Sequence, residues 1–371
     1  MRAIAGAVLA AGVLAVCATP AAARSFAPAK GHAYHGVSDT GQVKDFERFA
    51  DQVGAHPALL QEFFHWDVPL KSSGAFHRWT ATDTRGVLSL STAPGGGEET
   101  VSPRQIARGR GDSYILRLNE AIARFEQTVY IRLMPEMNGY WNPYSAYEAN
   151  GSLRGHGHGT NWFRKAWRRF AIIIRGGPRR RINRRLRRQG MPRILRARSQ
   201  NGPIYEQAEV GQTLERPRVA LMWVPQTFGS PNVAGNRPSA YWPGGRYVDW
   251  VGFDIYAKHA SAFDEGKRFY HRYRRKPFVI GEYSPWDNDQ DGSFVRSLFS
   301  WAKQHKRVKM LLYYRSVSPD NPHNLQFYSG AQDSLRSILS KRRYRQYAPR
   351  ARELPDEPPP KPPGEDPPPE P

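Results

Sequence analysis

The segment Val219-Ala220-Leu221-Met222-Trp223-Val224 is an unbroken run of apolar residues. A short run without polar alternation is typical of a strand that is buried on both faces, as in a parallel sheet. Similar β-rich runs recur on either side of it, at residues 34–38, 59–65, 86–91, 128–134, 250–256, 277–282 and 309–314. Together with residues 219–224 they make eight predicted strands.

Helical patterns lie between these runs. Apolar residues recur at helical spacing in segments 42–53, 113–126, 162–174 and 294–304. Eight strands that alternate with helices predict an α/β fold, a (β/α)8 TIM barrel that forms a single catalytic domain. A doubly wound open sheet is the alternative, but no glycine-rich nucleotide-binding motif follows the first run.

The two ends of the chain differ from this pattern. Arg2, the apolar residues 3–16 and Ala21-Ala22-Ala23 form a secretory signal peptide over residues 1–23, which predicts a secreted, extracellular protein. Cys17, the sole cysteine, lies in this segment, and a lipoprotein signal around it is the alternative. The barrel is expected over residues 24–350, and the proline-rich residues 351–371 are expected to be disordered.

The charge is strongly basic. Lys and Arg total 55 against 33 Asp and Glu, a formal net charge of +22. Segment 164–198 has many arginines and no acidic residue, and it reads as an insertion between the fourth and fifth strands. We predict either a solvated arginine-rich helix or a site for an anionic cell-wall polymer. Nucleic acid is not expected as a partner of an exported barrel.

A glutamate follows two of the strands directly. The fourth run leads into Met134-Pro135-Glu136, and the seventh ends Ile280-Gly281-Glu282. Barrel enzymes carry their active sites at the carboxyl ends of the strands, where these glutamates would face each other across the barrel mouth. Two facing carboxyl groups are the working parts of glycoside hydrolysis. The alternative is that both are rim residues paired with arginines.

Three motifs resemble glycoside hydrolase family 26, which is best known for β-mannanases. They are Met134-Pro135-Glu136-Met137-Asn138-Gly139-Tyr140-Trp141, the stretch from Tyr241 to Tyr256, and Lys276-Pro277-Phe278-Val279-Ile280-Gly281-Glu282. The resemblance spans roughly residues 34–340. It implies a retaining enzyme acting on β-linked polysaccharide, in the manner of an endo-β-1,4-mannanase. A catalytically quiet glycan-binding protein on the same barrel is the alternative.

The resemblance also implies roles for single residues. Glu136 matches the family's acid/base, Glu282 its nucleophile, Tyr256 a hydrogen-bond partner of the nucleophile, and Trp141 a residue that shapes the subsite at the scissile bond. One position departs from the family, because Pro135 stands where the family usually has a histidine before the acid/base.

Further substrate-binding candidates come from the ends of other strands. Aromatic rings and polar side chains at a barrel mouth are suited to gripping sugars. The set comprises Asn138, His65, Trp66, Trp223, Trp286 and Tyr314. Tyr313 and Tyr314 are adjacent in a strand, so at least one of them is expected in the core.

No metal or cofactor is expected. The run from Asp287 to Gly292 matches half of a calcium loop, but Leu298 stands where the final glutamate would be. His156 and His158 form a pair without a third ligand nearby in sequence. The expected partner is the polysaccharide substrate, and the mature chain is expected to be a monomer without a transmembrane segment.

Overall fold

A computed structural model of the chain describes residues 25–66, 68–194 and 211–344. The predicted signal peptide, the end of the basic segment and the predicted proline-rich tail lie outside these residues. Among the described residues, no helix is both long and apolar enough to cross a bilayer.

Eight parallel strands close into a barrel in the order β1-β10-β9-β8-β7-β4-β3-β2. The prediction of a (β/α)8 barrel is therefore confirmed, and each barrel strand lies within two residues of its predicted bounds. The strands are β1 (Tyr34–Ser38), β2 (Leu59–His65), β3 (Arg85–Ser91), β4 (Val129–Leu133), β7 (Val219–Trp223), β8 (Trp250–Tyr256), β9 (Phe278–Ser284) and β10 (Val308–Tyr313). Two short strands outside the barrel, β5 (Gly177–Pro178) and β6 (Thr213–Leu214), pair antiparallel.

Helices surround the barrel, and the four that the sequence predicted are all present. The helices are α1 (Val43–Val53), α2 (Ala75–Ala81), α3 (Pro103–Ala107), α4 (Asp112–Phe125), α5 (Gly155–His158), α6 (Thr160–Ile174), α7 (Arg179–Arg188), α8 (Phe263–Arg272), α9 (Ser293–Gln304) and α10 (Ser329–Leu339). Among the short ones, α3 begins with a capping box in which Ser102 and Gln105 satisfy each other's backbone N–H groups.

Alternation along the strands divides the core in two. Inward-pointing residues fill the barrel as one buried cluster: Tyr34, Ala58, Leu59, Val87, Tyr130, Ala220, Met222, Val224, Trp250, Val279, Met310 and Leu312. Outward-pointing residues pack under the helices in a second, larger cluster. At Gly252 a side chain would collide with the carbonyl oxygen of Val279, so glycine lets β8 and β9 approach.

The basic segment 164–198 was predicted as an insertion, and the structure divides it. Its first part belongs to α6, a helix of the barrel's own layer with Trp167 and Phe170 fully buried. Beyond α6, the chain forms α7, which packs on α6 through the buried Ile182 and Leu186. The periodic apolar positions explain this difference, because they anchor both helices. The arginines of α7 stay mostly on its outer side, whereas Arg169 of α6 is buried and pairs with Asp112 of α4.

A second group of charges lies outside the barrel, where β2 meets α2. Arg78 contacts the carboxylate of Asp39 and donates to Glu62 Oε1 at 2.6 and 2.9 Å. Both carboxyl groups are buried. Burial and the neighbouring Asp39 raise the pKa of Glu62 to about 9. Glu62 is therefore protonated at neutral pH and shares its proton with Asp39.

We expect Glu62→Gln to stabilise the protein at alkaline pH. The folded state holds the Glu62 proton between pH 4.5 and about 9 while the unfolded state releases it, so wild-type stability falls as pH rises through this window. A glutamine amide at this position mimics the protonated side chain. At pH 8.5 the variant should exceed wild type in free energy of unfolding by about 5 kcal/mol at most, since wild type loses about 1.4 kcal/mol for each pH unit above pH 5.

Urea unfolding at pH 5 and pH 8.5 measures this difference. The two proteins should be nearly equal at pH 5, and Glu120→Gln on the exposed face of α4 serves as the control. If Glu62→Gln is less stable than wild type at pH 8.5, then Glu62 is ionised in the folded protein.

Candidate functional site

Glu136 lies in a tight turn after β4. Met134 and Glu136 both adopt left-handed backbone conformations, with φ of 42° and 49°. Such conformations are costly for residues other than glycine and persist where the surroundings impose them. Here the N–H of Met134 donates to Leu90 O at 2.7 Å, and that of Glu136 donates to Val224 O at 2.7 Å. The turn is thus fixed to the neighbouring strands on both sides.

Asn138 ties this turn to the chain that follows β7. Its side chain is fully buried and donates to the carbonyl oxygens of Gln226 and Phe228 at 3.1 and 3.0 Å. It also accepts from the N–H of Gln226 at 2.9 Å. Asn138 was predicted to bind substrate, but these contacts make it a support for Glu136 instead.

The side chain of Glu136 accepts hydrogen bonds from two directions. The amide of Gln226 donates to Oε1, and the indole of Trp141 donates to Oε2 at 3.0 Å. Its carboxyl group also lies beside that of Asp254. Within the described part of the chain, Glu136 forms no ion pair with an arginine, which argues against a rim ion pair at this position.

Glu282 points into the barrel because β9 is irregular. Val279 faces inward, so strict alternation would turn Glu282 outward toward the helices. The register of β8 and β9 shifts between Phe253↔Ile280 and Asp254↔Glu282, which places Glu282 inside. Gly281 lies at this shift, where a side chain would strike Asp254 at 2.6 Å. The bulge thus aims the glutamate into the mouth.

Two donors hold the carboxylate of Glu282. Arg132 donates from one terminal nitrogen to Oε1, and the hydroxyl of Tyr256 donates to Oε2. The other terminal nitrogen of Arg132 donates to Asp254. Arg132 and Asp254 are buried inside the barrel. One alternative drawn from the sequence was that each glutamate pairs with an arginine, and Glu282 does pair with Arg132.

The charges do not balance in this site. Arg132 is one cation among three carboxyl groups, those of Glu136, Asp254 and Glu282. Burial, and then the charge of Glu282, raise the pKa of Glu136 against the opposing effect of Arg132. Burial also raises the pKa of Asp254 well above its usual value. A buried group of this kind keeps at least one proton near neutrality.

Tyr256 stays protonated in this environment. Burial, followed by the negative charge of Glu282, raises the pKa of its hydroxyl well above the usual range. The hydroxyl is therefore a donor to Glu282 throughout the physiological pH range. The resemblance implied a hydrogen bond between Tyr256 and Glu282, and the structure contains it.

Aromatic rings surround Glu282 at the mouth. Trp286 contacts Tyr256 edge to face at a centroid distance of 5.2 Å and lies 4.6 Å from the ring of His323. Tyr314 lies 4.8 Å from the same histidine. His323 is fixed by a 2.6 Å hydrogen bond between Nδ1 and the hydroxyl of Ser284. The structure thus brings together Trp286 and Tyr314, two of the candidates for substrate binding. Both contact His323, which was not predicted as a site residue.

Tyr313 and Tyr314 diverge as alternation requires. Tyr313 is fully buried under the helices and packs on Phe49 at 5.0 Å. Tyr314 turns inward, where Phe63 of β2 meets it edge to face at 5.8 Å. His65, two residues further along β2, lies on the same inward-facing side and is partly exposed.

A second group of rings lies beside Glu136. Trp141 is 49 % exposed and Tyr140 43 % exposed, and the two rings meet edge to face at 5.4 Å. Phe228 is also exposed on the segment that Asn138 ties to the same turn. Rings thus border the carboxyl groups on both sides, which suits a chain of sugars lying across the mouth.

Trp66 and Trp223 are not brought to this site. Both are fully buried. Trp66 packs against Tyr114 and Phe170 beneath the helices, at 5.3 and 5.9 Å. Trp223 faces outward from β7, because its neighbour Met222 faces inward, and it stacks on Phe269 at 5.7 Å. Neither tryptophan can stack on a sugar in the mouth.

The acidic loop at residues 287–292 and the histidine pair of His156 and His158 were weighed as metal sites, and members of both make contacts within the protein. Asp289 accepts from the N–H groups of Phe294 and Val295 at 2.8 and 3.2 Å and so caps α9. His158 contacts Glu99 at 2.7 Å. Among the residues that the structure describes, no group of three or more His, Cys, Asp or Glu side chains is arranged to hold a metal ion.

Sequence reasoning missed Arg132, Asp254, Phe63, Phe228 and His323. For the first two a signal was present, since each is a charged residue inside an apolar run. A charge in the middle of a buried strand needs a partner of opposite sign. The other three carry no comparable signal, because they reach the mouth through strand alternation or a loop path.

The comparisons with known proteins agree with this fold. No family model matches the chain, and the search of curated proteins finds no similar sequence. Among solved structures, a Cellulomonas fimi endo-β-1,4-mannanase matches with a TM-score of 0.52 and 12 % identity, over 89 % of this chain and 76 % of that one. The YdhT protein from Bacillus subtilis matches with 0.50 and 14 % identity, over 86 % and 88 %.

A Prevotella bryantii protein, the endo-β-mannanase/endo-β-glucanase GH26A-GH5A, matches with a TM-score of 0.51 and 13 % identity, over 85 % of this chain and 44 % of that one. The chain has a fold like that of the glycoside hydrolase family 26 structures. At this identity the likeness concerns the fold, and the chemistry rests on this chain's own residues. Of the three motifs that resemble the family, the first follows β4, the second leads into β8 and ends with it, and the third lies mostly on β9.

We expect Trp223→Ala and Trp141→Ala to differ sharply in stability. Removing the fully buried Trp223 should lower the free energy of unfolding by about 3–5 kcal/mol, because a cavity is left behind. Removing the half-exposed Trp141 should cost less than about 1 kcal/mol. Urea unfolding of both variants checks this. A small loss for Trp223→Ala would mean that its ring is accessible.

Proposed function

We propose that the protein is a secreted retaining glycoside hydrolase that cleaves β-linked polysaccharide internally, as an endo-β-1,4-mannanase does. The observation that carries this proposal is the unequal pair of glutamates. Glu282 is held as a carboxylate by Arg132 and Tyr256, while Glu136 has a raised pKa and no cation of its own. A retaining mechanism needs one carboxylate nucleophile and one protonated acid at the same bond.

The first step follows from these states. A Glu282 oxygen attacks the anomeric carbon and forms a glycosyl ester, while the bond from that carbon to the bridging oxygen breaks. Glu136 gives its proton to the departing oxygen. As the ester forms, the negative charge on Glu282 disappears, while Arg132 still donates its other hydrogen bond to Asp254.

The second step returns the site to its starting state. Glu136, now a carboxylate, takes a proton from water as the water oxygen attacks the anomeric carbon. The ester bond breaks, Glu282 leaves as a carboxylate, and the sugar keeps its original configuration. Trp141 and Gln226 donate to Glu136 and so stabilise it in this ionised state.

The rings favour an extended polysaccharide as the substrate. Trp141, Tyr140 and Phe228 lie on the Glu136 side, and Trp286 and Tyr314 on the Glu282 side. Stacking on both sides of the cleavage point is suited to an internal bond. The names of the structural neighbours, with the motif resemblance, favour β-mannan among the β-glycans. Pro135 leaves the family's histidine position without an imidazole.

The two glutamates are tested by neutral replacements. We expect Glu282→Gln to abolish hydrolysis of β-1,4-mannan, because no nucleophile remains. Glu136→Gln should lose about 10²–10⁴-fold, the usual contribution of a general acid. On an aryl β-mannoside with a good leaving group, Glu136→Gln should keep its first step, and added azide should accelerate turnover and give the β-azide.

A control variant and two contrary results complete this test. Glu98→Gln, on an exposed loop, should leave activity unchanged. Proton NMR of the first product should show the β-anomer. Appearance of the α-anomer would contradict retention. If wild type binds mannan in affinity electrophoresis but cleaves no β-mannan, β-glucan or xylan, the protein is a glycan-binding barrel instead.

The pH dependence gives a separate test of Glu136. The acid must be protonated, so kcat/KM should fall as pH rises through its raised pKa. The indole of Trp141 donates to the carboxylate and lowers this pKa. Trp141→Phe should therefore move the alkaline limb to higher pH, whatever it does to the absolute rate, whereas Tyr140→Phe should not. An unchanged limb would show that Glu136 is not the group that titrates.

A further inference from the structure

The outer side of α7 is a concentrated positive surface that the proposed catalytic site does not use. Seven of the ten residues in α7 are arginines, and none is acidic. Six of these arginines are exposed: Arg180, Arg181, Arg184, Arg185, Arg187 and Arg188. Within the described residues, these six form no ion pair with a carboxylate. Uncompensated charge at this density attracts anions.

The surface continues onto α6. Arg168 lies one helical turn after Arg164 and donates to Gln189 Oε1 at 3.2 Å, which joins it to the end of α7. Burial and the charges of Arg164 and Arg246 lower the pKa of Arg168. Like charges thus crowd one another around Arg168. We call the exposed arginines of α7, with Arg164, Arg168 and Arg246, the basic face.

A separate aromatic site lies on the side of α6 that faces α3, away from Arg164 and Arg168 and toward the barrel mouth. Trp162 is near the start of α6, the end closest to the β4 loop, and is partly exposed. Three cations, those of Arg104, Arg108 and Lys165, lie 5.2–5.7 Å from its ring. An aromatic plate among cations matches a sugar that carries a carboxylate.

The arginines of α7 are spaced for a linear polymer. Arg180, Arg184 and Arg187 lie on the side opposite the buried Ile182 and Leu186. A helix rises 1.5 Å per residue, so the Cα atoms of these arginines recur about every 4.5–6 Å along the axis. This repeat is close to the length of one sugar in an extended chain. Guanidinium groups also bind carboxylates in a bidentate manner.

We propose that the basic face binds an anionic polysaccharide whose sugars carry carboxylates. It holds the protein on an acidic glycan while the barrel mouth stays free. A membrane fits less well, because the apolar residues Ile182 and Leu186 face the protein and none is left to enter lipid. Duplex nucleic acid fits less well, because α7 packs on α6 through Ile182 and Leu186 and so has only its outer side available to a groove.

The test compares two triple variants of equal charge. Arg180→Gln/Arg184→Gln/Arg187→Gln removes three charges from the basic face. Arg275→Gln/Lys303→Gln/Lys306→Gln removes three exposed charges near α8 and α9, none of which belongs to the basic face. Net charge falls equally, so only the place of the charges differs. Circular dichroism and thermal unfolding should show both variants folded, because none of the six side chains is buried.

Binding is measured with polygalacturonate, galactomannan, duplex DNA and phosphatidylglycerol vesicles at 50 and 150 mM NaCl. We expect wild type to prefer polygalacturonate and to bind it more weakly at the higher salt. The α7 variant should lose at least tenfold in affinity for it, and the control variant less than twofold. Hydrolysis of a short neutral substrate should be the same in all three proteins.

Several results would overturn the proposal. Equal losses in the two variants would show that net charge alone is responsible. Tighter binding to DNA or to the vesicles than to polygalacturonate would assign the face to a nucleic acid or to a membrane. No binding to polygalacturonate by wild type would remove the glycan altogether. None of these results bears on the glutamate pair, because the substrate assay reports on that separately.

Discussion

The site depends on a single guanidinium group inside the barrel. Arg132 extends from β4 and reaches both Asp254 on β8 and Glu282 on β9. Taking charges out of water is expensive, and such a group is tolerated only when its partners are placed well. The partners come from strands two and three places away from β4 in the sheet, so the curvature of the sheet into a barrel is what assembles the charge cluster. Removing either carboxylate would leave the arginine partly uncompensated in a buried place.

This arrangement separates two chemically identical side chains. Glu282 is within reach of the cation and of Tyr256, while Glu136 is held by neutral donors and by a strained turn. The difference comes from the environment of each glutamate, since both are residues of the same kind at the same end of the barrel. Asp254 gives Arg132 a second partner, so the cation does not depend on Glu282 alone when the charge of that residue changes.

Much of this could be predicted from the residues, and some could not. Apolar runs such as 219–224 indicated the barrel, because strands buried on both faces need them. The glutamates were visible as acids at strand ends. Trp66 and Trp223 were wrongly expected at the barrel mouth for the same reason. A residue at a strand end faces either the mouth or the helices, and a shift of one residue along the strand changes which of the two it faces. Trp223 follows the inward-facing Met222 and so lies outside.

Glu282 is the opposite case, a residue that alternation would direct outward but that faces the barrel mouth. Simple alternation from Val279 would have placed it among the helices, and only the register shift at Gly281 turns it inward. The motif resemblance predicted its position where periodicity alone would have failed. His323 and Phe228 reach the mouth on loops whose paths depend on distant packing. Local sequence carries no information about such paths.

The small two-stranded sheet of β5 and β6 has a consequence for how this protein can change over evolutionary time. It pairs Gly177 with Leu214, so the chain leaves the barrel and returns to it at almost the same place. Gly176 permits this closure, because a side chain there would collide with the carbonyl of Glu215. Between these points, α7 is also held on α6 through Ile182 and Leu186. The exposed positions of α7 take no part in that packing, so the charge that they carry can diverge among descendants while the strands that carry the glutamates keep their register.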